Sequence, residues 1–168
     1  QELLDRKFPA RFINLIINSY PSQNIKVKWG NSSSEKFKGV NGIRQGGVLS
    51  PMLFTVYIDS LIAELEKCGA GCRIGHHYYG SLVSADDITL LSPTATGLQI
   101  MVKVCEDFGL KNAITFNERK SVCIKFSSDQ EDLPEIILND KELKWECKVK
   151  HLGNVVNNML SDQFDIQL

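Results

Sequence analysis

"GSLVSADDITLL", residues 80–91, places two adjacent carboxylates, Asp86 and Asp87, inside a run that is otherwise mostly apolar. Burying one charge is costly and burying two side by side is worse. In a straight strand, neighbouring side chains point to opposite faces. Two adjacent carboxylates therefore converge on one point only at a tight turn. The β-prone flanks, around Tyr78 to Val83 and Ile88 to Leu91, supply that turn: the stretch predicts a hairpin with Ala85-Asp86-Asp87 at its tip. A carboxylate pair presented this way can hold divalent cations, whose charge offsets the repulsion. A bare Asp-Asp is more often a solvated turn, so the pair alone leaves both readings open.

Working outward, the remaining pattern alternates helices and strands. "FPARFINLIINSYP" reads as a helix, with Pro9 in its first turn, Phe12, Ile13, Ile16, Ile17 and Tyr20 on one stripe, and Pro21 as a stop. "IKVKWG" alternates as a half-buried strand, "NSSS" turns the chain and "EKFKGV" returns. "SPMLFTVYIDSLIAELEKCG" is a helix capped at Ser50 and started by Pro51, with Phe54, Ile58, Leu61 and Leu65 inward and Gly69 just past its end. "TGLQIMVKVCEDFG" is another, with Leu98, Met101, Val102, Cys105 and Phe108 on one side and Gly109 ending it. "SVCIKF" reads as a strand and "IILNDKELKW" as a hairpin turning at Asn139-Asp140. This order predicts an α+β fold, an antiparallel sheet with helices packed on one face.

Composition narrows the function classes. The chain has 168 residues, 43% hydrophobic and 23% charged, with a formal net charge of -1. That is the composition of a globular protein, with no apolar run long enough for a membrane span. The chain opens on Gln1 and closes on "SDQFDIQL", and both ends read as cut. The five cysteines are irregularly spaced, which favours free thiols in a reducing compartment. Cys68 and Cys72 with His76 and His77 match no common zinc spacing. "GAGCRIG" (residues 69–75) follows a helix and precedes a strand, the reverse of a dinucleotide fingerprint. Charge is uneven. Lys26, Lys28, Lys36, Lys38 and Arg44 stand against Glu35, whereas Asp129, Glu131, Asp132, Glu135, Asp140, Glu142 and Glu146 outnumber Lys141 and Lys144. One face for a polyanion and one for water fits this asymmetry, and so does plain solvated surface.

Three further segments carry chemistry. "NGIRQGGVLSPMLF" (41–54) is a glycine-rich loop running into a helix start, where backbone approaches a ligand closely. Within it, Gln45 can hydrogen-bond a base or sugar and Arg44 can contact phosphate or stack on a base. A plain loop before an N-cap accounts for Ser50 and Pro51 but does not need the doubled glycine. "FNERKSVCIKF" (116–126) sets Lys120 just before a strand, and "KVKHLGNVV" (148–156) is a short β-like segment.

In this order and spacing the segments resemble the palm of a reverse transcriptase, most closely those of animal non-LTR (LINE-type) retrotransposons. "GIRQGGVLSPMLF" is similar to the family's template- and nucleotide-contacting segment. "SADD" stands at its aromatic-Ala-Asp-Asp signature, "FNERKS" at its Asn-x-x-Lys segment, and "VKHLG" at the primer grip, usually aromatic-Leu-Gly. "LLDRKFPARFINLIINSY" resembles the helix after the first catalytic segment. The resemblance implies RNA-templated DNA synthesis, nucleotidyl transfer to a primer 3′-hydroxyl. It makes Asp86 and Asp87 carboxylates of a two-Mg2+ site, with metals about 4 Å apart. It puts Arg44, Gln45 and Gly46 against template or nucleotide and Lys120 near the triphosphate. Implied partners are an RNA template, a DNA primer and deoxynucleoside triphosphates, with no membrane, in cytoplasm and nucleus. Residues 1–168 would then be a partial domain, palm plus part of the fingers.

Three departures accompany it. The family carries a further metal-binding Asp on a strand upstream of the first helix, and Asp5 does not match it. Ser84 replaces the aromatic before Ala85. His151 stands where the grip segment usually has an aromatic. The expectation is a piece that lacks one metal ligand and the thumb and is inactive alone; a noncatalytic remnant and a nucleic-acid-binding module are the alternatives.

Overall fold

The computed structural model describes residues 2–19, 24–38, 47–127 and 133–159. The chain divides into two compact units, residues 1–60 and residues 61–168.

The first unit opens with helices α1 (Glu2–Asp5) and α2 (Ala10–Ser19). Pro9 precedes the first helical residue of α2, and its carbonyl accepts from the Ile13 amide at 3.2 Å. Ile13 is buried and Phe12 and Ile16 are partly buried, but Ile17 is exposed, so the predicted stripe is narrower than the periodicity suggested; Tyr20 and Pro21 lie outside the described residues. Phe8 and Phe12 stack with centroids 5.5 Å apart. Arg6 is ion-paired with Asp59, and that partner holds the guanidinium pKa above its ordinary value.

Four two-residue strands follow: β1 (Asn24–Ile25), β2 (Lys28–Trp29), β3 (Ser32–Ser33) and β4 (Phe37–Lys38). β1 pairs with β4 and β2 with β3, both antiparallel. Between the pairs, Ser34 N donates to Val27 O at 2.9 Å and Val27 N donates to Ser34 Oγ at 3.0 Å. Glu35 and Lys36 thus oppose the single Lys26, a β-bulge that twists the ribbon. The hairpin is as expected, but its turn is Gly30-Asn31 rather than "NSSS". The strand is not half-buried either: every residue from Asn24 to Lys38 is exposed, Trp29 at 86%. A two-stranded ribbon has one layer only, so alternation alone does not bury a face.

Helix α3 (Ser50–Lys67) begins at the Ser-Pro pair and buries Ile58, Leu61 and Leu65. The second unit continues with β5 (Arg73–Ile74), β6 (His77–Tyr78), β7 (Ser81–Ser84) and β8 (Asp87–Leu90). Helix α4 (Ala95–Asn112) comes next, then β9 (Val122–Cys123), β10 (Ile137–Leu138), β11 (Lys141–Glu142), β12 (Lys144–Trp145), β13 (Lys148–His151) and β14 (Asn154–Asn157).

Thr94 caps α4, its hydroxyl accepting from Gly97 N at 3.1 Å. Met101, Val102, Cys105 and Phe108 are buried along one side, as the periodicity predicts. The helix does not stop at Gly109 but runs one turn further, closing on Ala113 in the left-handed region. A Cβ at Gly109 would lie 2.6 Å from the Ile114 carbonyl. This glycine makes room for the chain folding back after the helix, a tertiary need that looks like a stop signal in sequence.

The core joins Val102 of α4 to Cys123, Ile136, Leu138 and Leu143, with Leu90, Leu98, Phe116 and Trp145 packed around it. Burial holds the Cys105 thiol pKa up at about 12 and that of Cys123 at about 11. The Gln99 amide clamps β10, donating to Ile137 O at 3.0 Å and accepting from Ile137 N at 2.7 Å.

The prediction of mixed α+β structure with antiparallel strands holds in its coarse form. Among the described residues, however, the strands form two-stranded pairings rather than one sheet. One of these, β9 with β12, is parallel, set by the core that brings Val122 beside Lys144.

Candidate functional site

The pairing of β7 with β8 matches Ser84↔Asp87, Val83↔Ile88, Leu82↔Thr89 and Ser81↔Leu90. The loop is therefore Ala85-Asp86, and Asp87 is the first residue of the return strand. Paired residues share a face and successive pairs alternate. One face carries Ser84, Asp87, Leu82 and Thr89; the other carries Val83, Ile88, Ser81 and Leu90. The second face is partly buried throughout, and Leu90 packs on the core. On the first, Ser84 and Asp87 are exposed and Leu82 is 55% exposed. The register thus turns Asp87 outward, and the two-residue loop puts Asp86 beside it at the tip, also exposed.

The tip is strained. Ala85 has φ 53°, in the left-handed region. For a residue with a Cβ this costs about 1–2 kcal/mol, and such strain persists only where the surroundings enforce it. The base of the hairpin supplies the enforcement. Leu91 N donates to Gly80 O at 2.7 Å, Cys72 N to Leu91 O at 2.9 Å, and Tyr79 N to Cys72 O at 2.8 Å. These bonds lock β7–β8 onto the β5–β6 ribbon. The Tyr78 ring lies over Gly80, where a Cβ would come within 2.5 Å of it. The Arg73 guanidinium sits 5.1 Å from the same ring centroid. Burial raises the Tyr78 phenol pKa, with the nearby Ser81 hydroxyl pulling it partway back. Neither hydroxyl reaches a partner in full hydrogen-bond geometry.

Lys120 lies in a turn just before β9, exposed, its amide donating to Asn117 O at 3.1 Å. The turn is tightened by Arg119 N donating to Asn117 Oδ1 at 3.0 Å. Among the described residues no ion pair joins Lys120 to Asp86 or Asp87. Arg44, Gln45 and Gly46 lie outside the described residues. The fold therefore brings two of the predicted residues, Asp86 and Asp87, onto one turn. Ser84 is Asp87's cross-strand partner, so the family's aromatic would stand directly beside that carboxylate.

Ionised carboxylates offer hard oxygen donors, the chemistry that Mg2+ selects. Two of them make a partial donor set. Among the described residues no group of three or more His, Cys, Asp or Glu side chains is arranged to hold a metal ion.

The sequence reading missed one contact. His151, at the end of β13, reaches Thr89 on β8, with Nε2 3.1 Å from Oγ1. Thr89 is two residues from Asp87 and therefore on its face, a signal that period two could have supplied. The partner, 62 residues away, could not be found that way.

A family model described as reverse transcriptase (RNA-dependent DNA polymerase) matches residues 1–156. The Retrovirus-related Pol polyprotein from type-2 retrotransposable element R2DM of Drosophila melanogaster is 31% identical over 100 residues, 60% of this chain and 9% of that protein. A Pol polyprotein from type-1 retrotransposable element R2 of Nasonia vitripennis is 32% identical over 94 residues, 56% of this chain and 9% of its own length. The corresponding protein of Popillia japonica is 29% identical over 117 residues, 68% of this chain and 16% of its own length. The alignments thus take in only a small part of each relative.

Proposed function

The chain belongs to the reverse transcriptase family, and on that premise we propose that it is part of a non-LTR retrotransposon polymerase that copies an RNA template into DNA. The observation that carries this reading is the outward presentation of Asp86 and Asp87 at the tip of a braced, strained hairpin. The family uses divalent metal ions, and Asp86 and Asp87 are the residues that would hold Mg2+ here. Bound there, Mg2+ supplies Lewis-acid stabilisation of the oxygens in phosphoryl transfer.

The chain's own residues have distinct parts in this reading. Asp86 and Asp87 fix where that chemistry happens, because their backbone is pinned through Leu91, Gly80 and Cys72. Arg44, Gln45 and Gly46 contact template or nucleotide, on the strength of their motif. Exposed Lys120 faces the triphosphate and can give a proton to the leaving group. Ser84 leaves the space beside Asp87 open, so the primer end is held less tightly than an aromatic would hold it. Substrates are an RNA template, a DNA primer and deoxynucleoside triphosphates, in cytoplasm and nucleus. No helix among the described residues is long and apolar enough to cross a membrane.

The 168-residue chain by itself is proposed not to extend a primer, since two carboxylates do not complete a two-metal site. Primer extension with Mg2+ tests both levels. No incorporation is expected from this chain, and incorporation is expected when residues 1–168 are carried within a complete polymerase of the family. Clear incorporation by the chain alone would refute its inactivity. Failure of that complete form would favour a noncatalytic remnant.

The exposed ribbon of Lys26, Lys28, Lys36 and Lys38 against Glu35 favours a second reading, nucleic-acid binding without catalysis. Binding that weakens steeply with salt yet ignores both Mg2+ and Asp86→Ala would support it.

A further inference from the structure

The geometry points to Thr89 and His151 as a positioning pair that sets the spacing between the β13–β14 hairpin and the carboxylate hairpin. This rests on the polymerase reading above and deepens it. Thr89 and Asp87 are on one face of β8, about 7 Å apart along the strand. His151 therefore joins the carboxylate face itself, rather than the core side of the hairpin. β13 and β14 pair over four residues from Lys148↔Asn157 to His151↔Asn154. His151 is at the end of that ladder, beside the Leu152-Gly153 turn, where both residues have positive φ. The tip of one hairpin is thus tied to the flank of the other by the bond between His151 Nε2 and Thr89 Oγ1.

The chemistry of the pair explains why it can hold in either ring state. A threonine hydroxyl both donates and accepts, and an imidazole Nε2 accepts in one tautomer and donates in the other. A phenyl ring at position 151 would offer the hydroxyl no nitrogen or oxygen partner. His151 is therefore matched to Thr89. Its departure from the aromatic pattern of the grip segment replaces ring packing by a directional bond. The bond acts through the hairpin backbone, so neither residue needs to touch the reacting atoms.

The test is a double-mutant cycle of Thr89→Val and His151→Phe, with His151→Gln as the variant that keeps a polar amide. Valine keeps the branched shape of threonine and removes only the hydroxyl function. Denaturant unfolding of the chain reads the contact: the two substitutions should be non-additive, and additivity overturns the proposal. Primer extension by a complete polymerase of the family carrying residues 1–168 reads the role. Thr89→Val and His151→Phe should each raise the primer KM roughly threefold to tenfold, leave the nucleotide KM unchanged, and do no more together than singly. His151→Gln should stay near wild type. Coupled unfolding with an unmoved primer KM would reduce the pair to a structural contact and overturn the positioning role. If no form incorporates nucleotide, the proposed function fails on its own account. Primer–template affinity by fluorescence anisotropy then takes the place of KM, with the same fall expected and an unchanged affinity overturning the pair.

Discussion

The hairpins β7–β8 and β10–β11 both turn through two residues, and they are built for opposite ends. In β10–β11 the loop is Asn139-Asp140, with φ 51° and 59°. Asn and Asp tolerate that region, which the favoured primed turns require. The loop is also held from outside. Asn139 Nδ2 donates to Phe116 O at 2.9 Å, and its amide donates to the Glu106 carboxylate. Ile136 and Leu138 bury themselves in the core below. In β7–β8 the loop is Ala85-Asp86, with an alanine in the left-handed region and two charges in water. One hairpin relaxes every demand of its turn. The other keeps strain and repulsion at its tip and is held at its base. The difference teaches that the carboxylate tip is placed for what it presents, not for what it stabilises.

The largest effect expected separates the two by activity. Asp86→Asn or Asp87→Asn should lower primer extension by at least about a hundredfold in the active form. Neither should lower the unfolding midpoint, because each removes repulsion from an exposed tip. A matched loss of stability would collapse the distinction between presenting and stabilising hairpins.

Second in size is a contrast in packing. Leu138→Ala, beneath β10–β11, should destabilise the fold by about 2–4 kcal/mol. Leu82→Ala, on the outward face of β7, should change it by less than about 0.5 kcal/mol. Denaturant titration of the two variants checks this, and equal losses would mean that Leu82 is covered.

The turns themselves come third. Ala85→Gly should raise stability by up to about 1 kcal/mol, by relieving the positive φ less the entropy of a glycine. Asn139→Ala should lower it by about 1–2 kcal/mol, through the same penalty and the lost bond to Phe116. A destabilised Ala85→Gly would show that the tip is not strained.

The smallest effect is a pH dependence from Cys105, buried on α4. Its folded pKa is raised to about 12 from an ordinary 9. A raised folded pKa contributes stability that is fully present below the unfolded value and lost as pH rises toward the folded one. Stability should stay level in this respect up to about pH 8 and fall by a few tenths of a kcal/mol near pH 9. Alkylation at pH 8 should label exposed Cys147 readily and leave Cys105 and Cys123 protected. Rapid labelling of Cys105 in the native state would contradict its burial.

Much of this was legible in the chain because it is local. The α4 stripe of Met101, Val102, Cys105 and Phe108 follows from a period of 3.6, and the turn at Asn139-Asp140 from the residues that accept positive φ. The carboxylate hairpin was legible for the same reason, though its register shifts Asp87 from the loop into the strand. Gly109 was misread because its reason, the returning Ile114 carbonyl, is a contact and not a propensity. The strand at "IKVKWG" was expected to be half-buried because alternation marks two faces but not whether a second layer covers either.

The sequence by itself determined the order of elements, the family, and a turn that holds Asp86 and Asp87 together. Each is set by neighbours within a few residues or by a motif along the chain. Only the tertiary structure decided that β9 pairs in parallel with β12, that Asp87 turns outward with Ser84 and Thr89, and that His151 meets Thr89 from 62 residues away. These depend on register and core packing, where many residues must agree at once, and no local pattern contains that agreement.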